Sequence, residues 1–176
     1  ETDEEYMRYR FTPDGLSPRG VPGYGKGIVK CDSHEHDETG HLTENFETRR
    51  RMVEKRLRRI KALAAESLMP ELVGGSADAP NIVVAWGSNR GVLEESLDTL
   101  QRADLAGLHF SQLYPINPSV AALLKGKIVT VLENNASGQF ADLLHRELAV
   151  STAHRILKWT GEPFSVEEVV EALREI

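Results

Sequence analysis

The residues of this sequence best suited to chemistry fall in short polar groups. His34-Glu35-His36-Asp37-Glu38, with His41 just beyond, sets imidazoles beside carboxylates. On an extended segment His34 and His36 would share one face, and the carboxylates would complete a divalent-metal site. No second ligand group follows at a recognisable spacing, so a solvated polar loop is the simpler account. Cys31 lies close to His34, and a thiol beside a base is a nucleophile candidate. Nothing around it signals an oriented base or an oxyanion hole.

A second group is Gly87-Ser88-Asn89-Arg90-Gly91, between an apolar run and a helical pattern. Free N–H groups at a helix start attract anions, and glycines let a ligand approach the backbone. The spacing fits neither the dinucleotide fingerprint nor the P-loop. A plain turn capped by Ser88 or Asn89 accounts for it. An anion or interdomain contact through Ser88 and Arg90 is the alternative. Glu133-Asn134-Asn135, followed by Gly138-Gln139, also sits where a strand should end. In open parallel sheets ligands and partner loops gather at that edge. A helix start, with Asn135 or Ser137 capping and Glu133 at the positive end of the dipole, explains the same residues.

The elements that position these groups follow from periodicity. Residues 1–45 carry Pro13, Gly15, Pro18, Gly20, Pro22, Gly23, Gly25 and Gly27, which predicts an extended arm and linker with turns. Ile28–Cys31 fits a short strand, and Asp32–Glu44 a loop that ends by capping a helix. That helix is predicted over Phe46–Ser67, with Val53, Leu57, Ile60 and Ala64 forming one apolar stripe. Pro70 and Gly74-Gly75 end it, so residues 46–78 read as a basic helix and its linker.

Residues 79–176 alternate strand and helix signals. Strands are predicted at Ile82–Trp86, Leu105–Phe110, Ile128–Leu132 and Arg155–Trp159. Helices are predicted at Val92–Arg102, Ser119–Leu124, Ser137–Leu148 and Val166–Glu175, the last capped by Ser165. Strands separated by helices pair in parallel. The fold class is therefore α/β, a three-layer α/β/α mostly parallel sheet with an extended N-terminal arm. Trp86, Phe110, Phe140, Leu157 and Trp159 stand at expected core positions.

Composition sets bounds. Of 176 residues, 40% are hydrophobic and 27% charged, which is globular. No apolar run is long enough for a membrane span and no secretory signal is present, so a cytoplasmic setting is expected. Cys31 is the single cysteine. It permits no internal disulfide and cannot supply the roughly four thiolates of an iron–sulfur cluster. The first residue is Glu1, as expected of a chain cut from something longer. Net charge is −6, but Arg49, Arg50, Arg51, Lys55, Arg56, Arg58, Arg59 and Lys61 face Glu54 alone between residues 49 and 61. This stripe reads as a solvated helix face or as a contact for an acidic partner domain or electron carrier. The acidic remainder and the lack of aromatics in the stripe argue against nucleic acid.

Tyr9-Arg10-Phe11-Thr12-Pro13-Asp14-Gly15-Leu16-Ser17-Pro18-Arg19 resembles a segment of the α subunit of 2-oxoacid:ferredoxin oxidoreductases, of the 2-oxoglutarate or pyruvate type. Glu35 to Glu44 is similar to that family's E-H-D-E-x-G-H-x-T-E run, and Lys55-Arg56-Leu57-Arg58 to its K-R-x-R helix. Trp86-Gly87-Ser88, Leu113-Tyr114-Pro115, Glu133-Asn134-Asn135 with Gly138-Gln139, and Gly161-Glu162-Pro163-Phe164 resemble its later motifs in the same order. Asn89-Arg90-Gly91 departs from the small residues expected after that turn.

The resemblance implies the transketolase C-terminal-like domain of such an α chain, with the pyrimidine-binding domain preceding it and a β subunit as partner. It implies oxidative decarboxylation of a 2-oxoacid with coenzyme A, thiamine diphosphate with Mg carrying the carbanion chemistry, and iron–sulfur clusters passing electrons to ferredoxin. None of those cofactors is expected to be held by this chain, which lacks the diphosphate–magnesium motif and a cysteine cluster. No catalytic residue is then expected here. Gly87, Ser88, Asn89, Arg90, Glu133, Asn134, Asn135 and Gln139 become candidate interdomain or anion contacts. A small-anion or nucleotide-binding module, and a metal-dependent hydrolase using His34, His36 and His41, are the competing readings.

Overall fold

A computed structural model describes residues 6–21, 23–25 and 27–176; of the arm's breakers, Pro22 lies outside these. The chain divides into two compact units, Glu1–Leu63 and Ala64–Ile176.

The first unit is an irregular arm laid against one long helix, α1 (Phe46–Ala65). Asn45 starts the helix, its Oδ1 accepting from the Thr48 N–H at 2.9 Å. Polar staples hold the arm to it. Lys55 Nζ donates to the Tyr9 carbonyl at 2.8 Å and to Ser17 Oγ, and the Arg51 guanidinium lies 4.0 Å from the Phe11 ring centroid. Gly15 has φ +81°, and a Cβ there would stand 2.6 Å from the Lys55 carbonyl oxygen.

One expectation fails in this unit. Ile28–Cys31 forms no strand, because no neighbouring segment offers it a ladder; the one bridge among this unit's described residues joins His36 and Leu42, further along the arm. The apolar stripe of α1 does not face the arm. Met52 and Lys55 are buried, whereas Val53, Leu57 and Ile60 are 38%, 58% and 37% exposed. The arm offers carbonyls and hydroxyls, so it docks on the face that can donate to them.

The second unit is an α/β/α sandwich. Its strands are β1 (Glu71–Gly74), β2 (Asn81–Trp86), β3 (Leu105–Phe110), β4 (Ile128–Glu133) and β5 (His154–Leu157). Its helices are α2 (Arg90–Leu100), α3 (Val120–Leu123), α4 (Gln139–Leu148) and α5 (Val166–Arg174). The five-stranded sheet runs in the order β1-β3-β2-β4-β5, parallel throughout except for β1.

Alternate residues of β2 feed opposite cores. Ile82 and Val84 join Val120, Phe140 and Leu144 from α3 and α4. Val83 and Ala85 join Leu93 and Leu97 from α2 and Val169 and Leu173 from α5. The fold class is as the sequence predicts: three layers about a mostly parallel sheet. Phe110 and Phe140 meet edge to face at 5.0 Å. Trp159 corrects the expected core, being 67% exposed, because β5 ends at Leu157 and the chain turns outward before Trp159.

The strand absent from the sequence reading is β1. Its four residues lie between Pro70 and Gly75, where the breakers predict only a link, and antiparallel pairing with β3 alone makes them a strand. Gly75 ends it at φ +73°, where a Cβ would stand 2.2 Å from the Leu105 carbonyl oxygen. Gly75→Ala therefore destabilises this unit by about 2–4 kcal/mol. Chemical denaturation monitored by Trp86 and Trp159 fluorescence measures it, and an unchanged midpoint would contradict the packing described.

Candidate functional site

The two polar turns singled out by sequence meet at one place. From β2 the chain crosses through α2 to β3 on one side, then through α3 to β4 on the other side of β2. Helices α2 and α4 pack on opposite faces. The carboxyl ends of β2 and β4 are therefore the switch point of the sheet, where sheets of this kind leave a crevice that ligands or partners occupy. Ala85 pairs with Leu132, so Trp86 and Glu133 are neighbours one residue further on. Gly87–Arg90 and Glu133–Gln139 flank that crevice.

On the β2 side, Gly87 has φ +59° with open space where a Cβ would lie, and Gly87–Asn89 forms a 3-10 turn into α2. The expected cap is absent: neither Ser88 nor Asn89 bonds a helix N–H through its side chain. Asn89 is buried. Arg90 donates to Glu71 Oε2 at 2.6 Å, so the cation of this turn is already matched by a carboxylate. Sequence reasoning missed His109. It is 6% exposed, and its Nε2 lies 2.9 Å from the Gly87 carbonyl. A carbonyl only accepts, so Nε2 carries the proton and the ring holds the turn from beneath. Its Nδ1 and Trp86 Nε1 are buried without a partner among the described residues. The one signal was an imidazole inside the apolar run Leu105–Phe110.

On the β4 side, Glu133 is fully buried. Its Oε2 accepts from Asn135 Nδ2 at 2.6 Å and from the Phe140 N–H at 2.9 Å, and its Oε1 from the Ala141 N–H at 3.3 Å. Two of these donors are free N–H groups at the start of α4, where the helix dipole also favours a negative charge. Asn135 Oδ1 accepts from the N–H groups of Ser137, Gly138 and Gln139 at 3.2, 2.8 and 3.2 Å. Glu133 and Asn135 are thus consumed in building the loop. Ser88, Asn134 and Gln139 remain exposed.

The histidines of the first unit stand apart from one another. His34 is exposed with φ 62°. His36 stacks on Tyr9 at 4.1 Å, and His41 Nδ1 lies 3.6 Å from Asp32. Among the described residues no group of three or more His, Cys, Asp or Glu side chains is arranged to hold a metal. His36 and His41 are held by different neighbours, Tyr9 and Asp32, while His34 is exposed. Cys31 is exposed, and its Sγ stands 3.7 Å from His36 Nε2 rather than beside His34. His36 Nδ1 has no partner among the described residues to orient it as a base. The acids serve structure. Asp37 Oδ1 accepts from Thr39 Oγ1 at 2.6 Å and from the Thr39 N–H at 2.9 Å. Glu35 takes both arms of the Arg56 guanidinium at 3.0 and 2.8 Å.

No protein-family model matches the sequence. The α subunit of 2-oxoacid:ferredoxin oxidoreductase 1 from Sulfurisphaera tokodaii is 33% identical over 99% of this chain and 28% of its own length. The α subunit of 2-oxoacid:ferredoxin oxidoreductase 2 from Aeropyrum pernix is 32% identical over 98% of this chain and 27% of its own length. The structure of 2-oxoglutarate:ferredoxin oxidoreductase from Magnetococcus marinus, with 2-oxoglutarate, coenzyme A and succinyl-CoA bound, superposes on 98% of this chain. Its TM-score is 0.78 at 25% identity, over 31% of that chain.

The chain is homologous to one segment of the 2-oxoacid:ferredoxin oxidoreductase α subunit. It spans 28% of the first of these relatives. With Cys31 as its single thiol, this chain does not by itself fit an iron–sulfur cluster. No helix among the described residues is long and apolar enough to cross a membrane.

Two predictions follow from the geometry. Glu133→Ala strands two buried N–H groups and lowers stability by about 2–4 kcal/mol, against about 1 kcal/mol for Asn135→Ala; equal losses in urea melts would contradict the central place given to Glu133. The Arg56 hydrogen bond holds the Glu35 carboxyl below its ordinary value of 4.5. A depressed carboxyl stabilises the fold fully above its unfolded pKa, and that stabilisation is lost as pH falls through the folded value. Arg56→Met therefore lowers the melting temperature near neutral pH, and the gap to wild type closes as the pH falls from the ordinary carboxyl value of 4.5 through the depressed value of Glu35. A gap that persists in acid would refute the pairing.

Proposed function

We propose that this chain is a domain of the α subunit of a thiamine-diphosphate-dependent 2-oxoacid:ferredoxin oxidoreductase. Such an enzyme decarboxylates a 2-oxoacid oxidatively to an acyl-CoA and reduces ferredoxin, in the cytoplasm. Residues 1–45 act as arm and linker, 46–78 as basic helix and linker, and 79–176 as the transketolase-C-like domain. The reading is carried by identity of 33% over 99% of the chain to a relative of that description. The 2-oxoglutarate and coenzyme A in the Magnetococcus enzyme's structure support a 2-oxoacid and coenzyme A as substrates.

The chemistry of this enzyme, on this reading, belongs to other parts of it. Thiamine diphosphate with Mg supplies carbanion stabilisation, and iron–sulfur clusters in the complex carry the electrons. The preceding pyrimidine-binding domain and the β subunit hold them. This chain contributes shape. Glu133 and His109 fix the two loops, and Ser88, Asn134 and Gln139 meet a neighbouring domain across the crevice. A small-anion or nucleotide module at the Gly87 turn is the weaker reading, because Glu71 already neutralises Arg90 and α2 starts without a side-chain cap.

The complete α and β subunits, mixed with 2-oxoglutarate or pyruvate, coenzyme A and ferredoxin, reduce ferredoxin in a manner dependent on thiamine diphosphate. Residues 1–176 alone give no reduction under the same conditions. Turnover by the isolated chain, or none by the complete enzyme with any 2-oxoacid, would overturn the proposal.

A further inference from the structure

The first unit has almost no apolar interior. Met52 is the one buried hydrophobic residue among its described residues. The arm is held by polar staples on one side of α1, through Lys55, Arg51 and Gly15. At about 100° per residue, Phe46, Val53, Leu57 and Ile60 fall in one line on the other side. Phe46 is 88% exposed and Leu57 58% exposed. An apolar row of this length left in water marks a surface made for another body.

Charge specifies what that body is. Arg49 and Arg56 border one edge of the row, Arg50 and Lys61 the other. Arg56 is paired with Glu35, and Arg50 with Glu47 and Glu54. Arg49 and Lys61 are exposed, with no carboxylate partner among the described residues. A second copy of α1 would set one positive border against another, and like charges across an interface oppose it. A covalently tethered segment is held at high effective concentration, so a modest apolar area suffices. The chain spans 28% of the Sulfurisphaera relative, which leaves most of an α subunit of that length to supply the segment.

We infer that the Phe46–Ile60 row of α1 seats another segment of the full-length α subunit, one with an apolar centre and an acidic rim. This rests on the reading of the chain as part of an α subunit. The apolar row makes the contact, and the flanking cations orient it.

The test uses the assembled enzyme with the photoreactive substitution Leu57→p-benzoylphenylalanine in the full-length α subunit. Irradiation and peptide mapping should place the crosslink in the same α subunit, outside these 176 residues, on a peptide bearing Asp or Glu beside apolar residues. A crosslink to residues 64–176, to the β subunit or to a second α chain, or no crosslink at all, overturns the inference. Should the substitution block assembly, the double variant Arg49→Glu with Lys61→Glu replaces it. Repulsion from an acidic rim then lowers the Tm of the assembled enzyme by at least about 2 °C, and added salt restores part of the loss. An unchanged Tm overturns the inference equally. Ferredoxin reduction by the unmodified enzyme is read separately, so activity with no contact at this row refutes the seat alone, and lack of activity refutes the underlying reading.

Discussion

A carboxylate buried at the end of β4 is the constraint from which the crevice takes its shape. Glu133 is fully buried, and a buried charge is costly unless hydrogen bonds replace water. Here the amide of Asn135 and the backbone N–H groups of Phe140 and Ala141 do so. Those N–H groups are the ones a helix start leaves free, so one side chain satisfies both the charge and the helix. The result fixes where α4 begins relative to β4, and hence where Asn134 and Gln139 stand. Across the crevice His109 does the corresponding work through the Gly87 carbonyl.

This arrangement accounts for polar, motif-like residues at a ligand-binding position whose side chains are largely spoken for. Glu133 and Asn135 bond their own loop, and Arg90 bonds Glu71. The same economy holds in the first unit, where Glu35 and Asp37 bond the chain around them. On the proposed reading, motifs shared with an oxidoreductase subunit act here through shape. They set turns and helix starts that a neighbouring surface can read.

Much of this was legible in the residues. The runs Ile82–Trp86, Leu105–Phe110 and Ile128–Leu132 are apolar because those strands are covered on both faces, and their alternation with helices gives the layers. Glu133-Asn134-Asn135 signalled a helix start, and α4 does begin just beyond it, at Gln139, with Gly138 at the N-cap in place of Asn135 or Ser137. What stayed hidden depends on contacts distant in sequence. β1 is a strand only because β3 pairs with it. His109 and Lys55 are buried for partners found in the fold, at Gly87 and at Tyr9. Periodicity finds the apolar row of α1 but cannot say which body it faces, and Trp159 is aromatic yet lies beyond the end of its strand.

The claim at the centre is that this segment shapes a neighbour's pocket and holds no reactive group itself. A structure of the complete enzyme with thiamine diphosphate and a 2-oxoacid bound tests it most directly. The account predicts protein from another domain packed against Ser88, Asn134 and Gln139, with every cofactor ligand drawn from outside residues 1–176. Thiamine diphosphate, its metal or an iron–sulfur cluster ligated by side chains of this segment would contradict it.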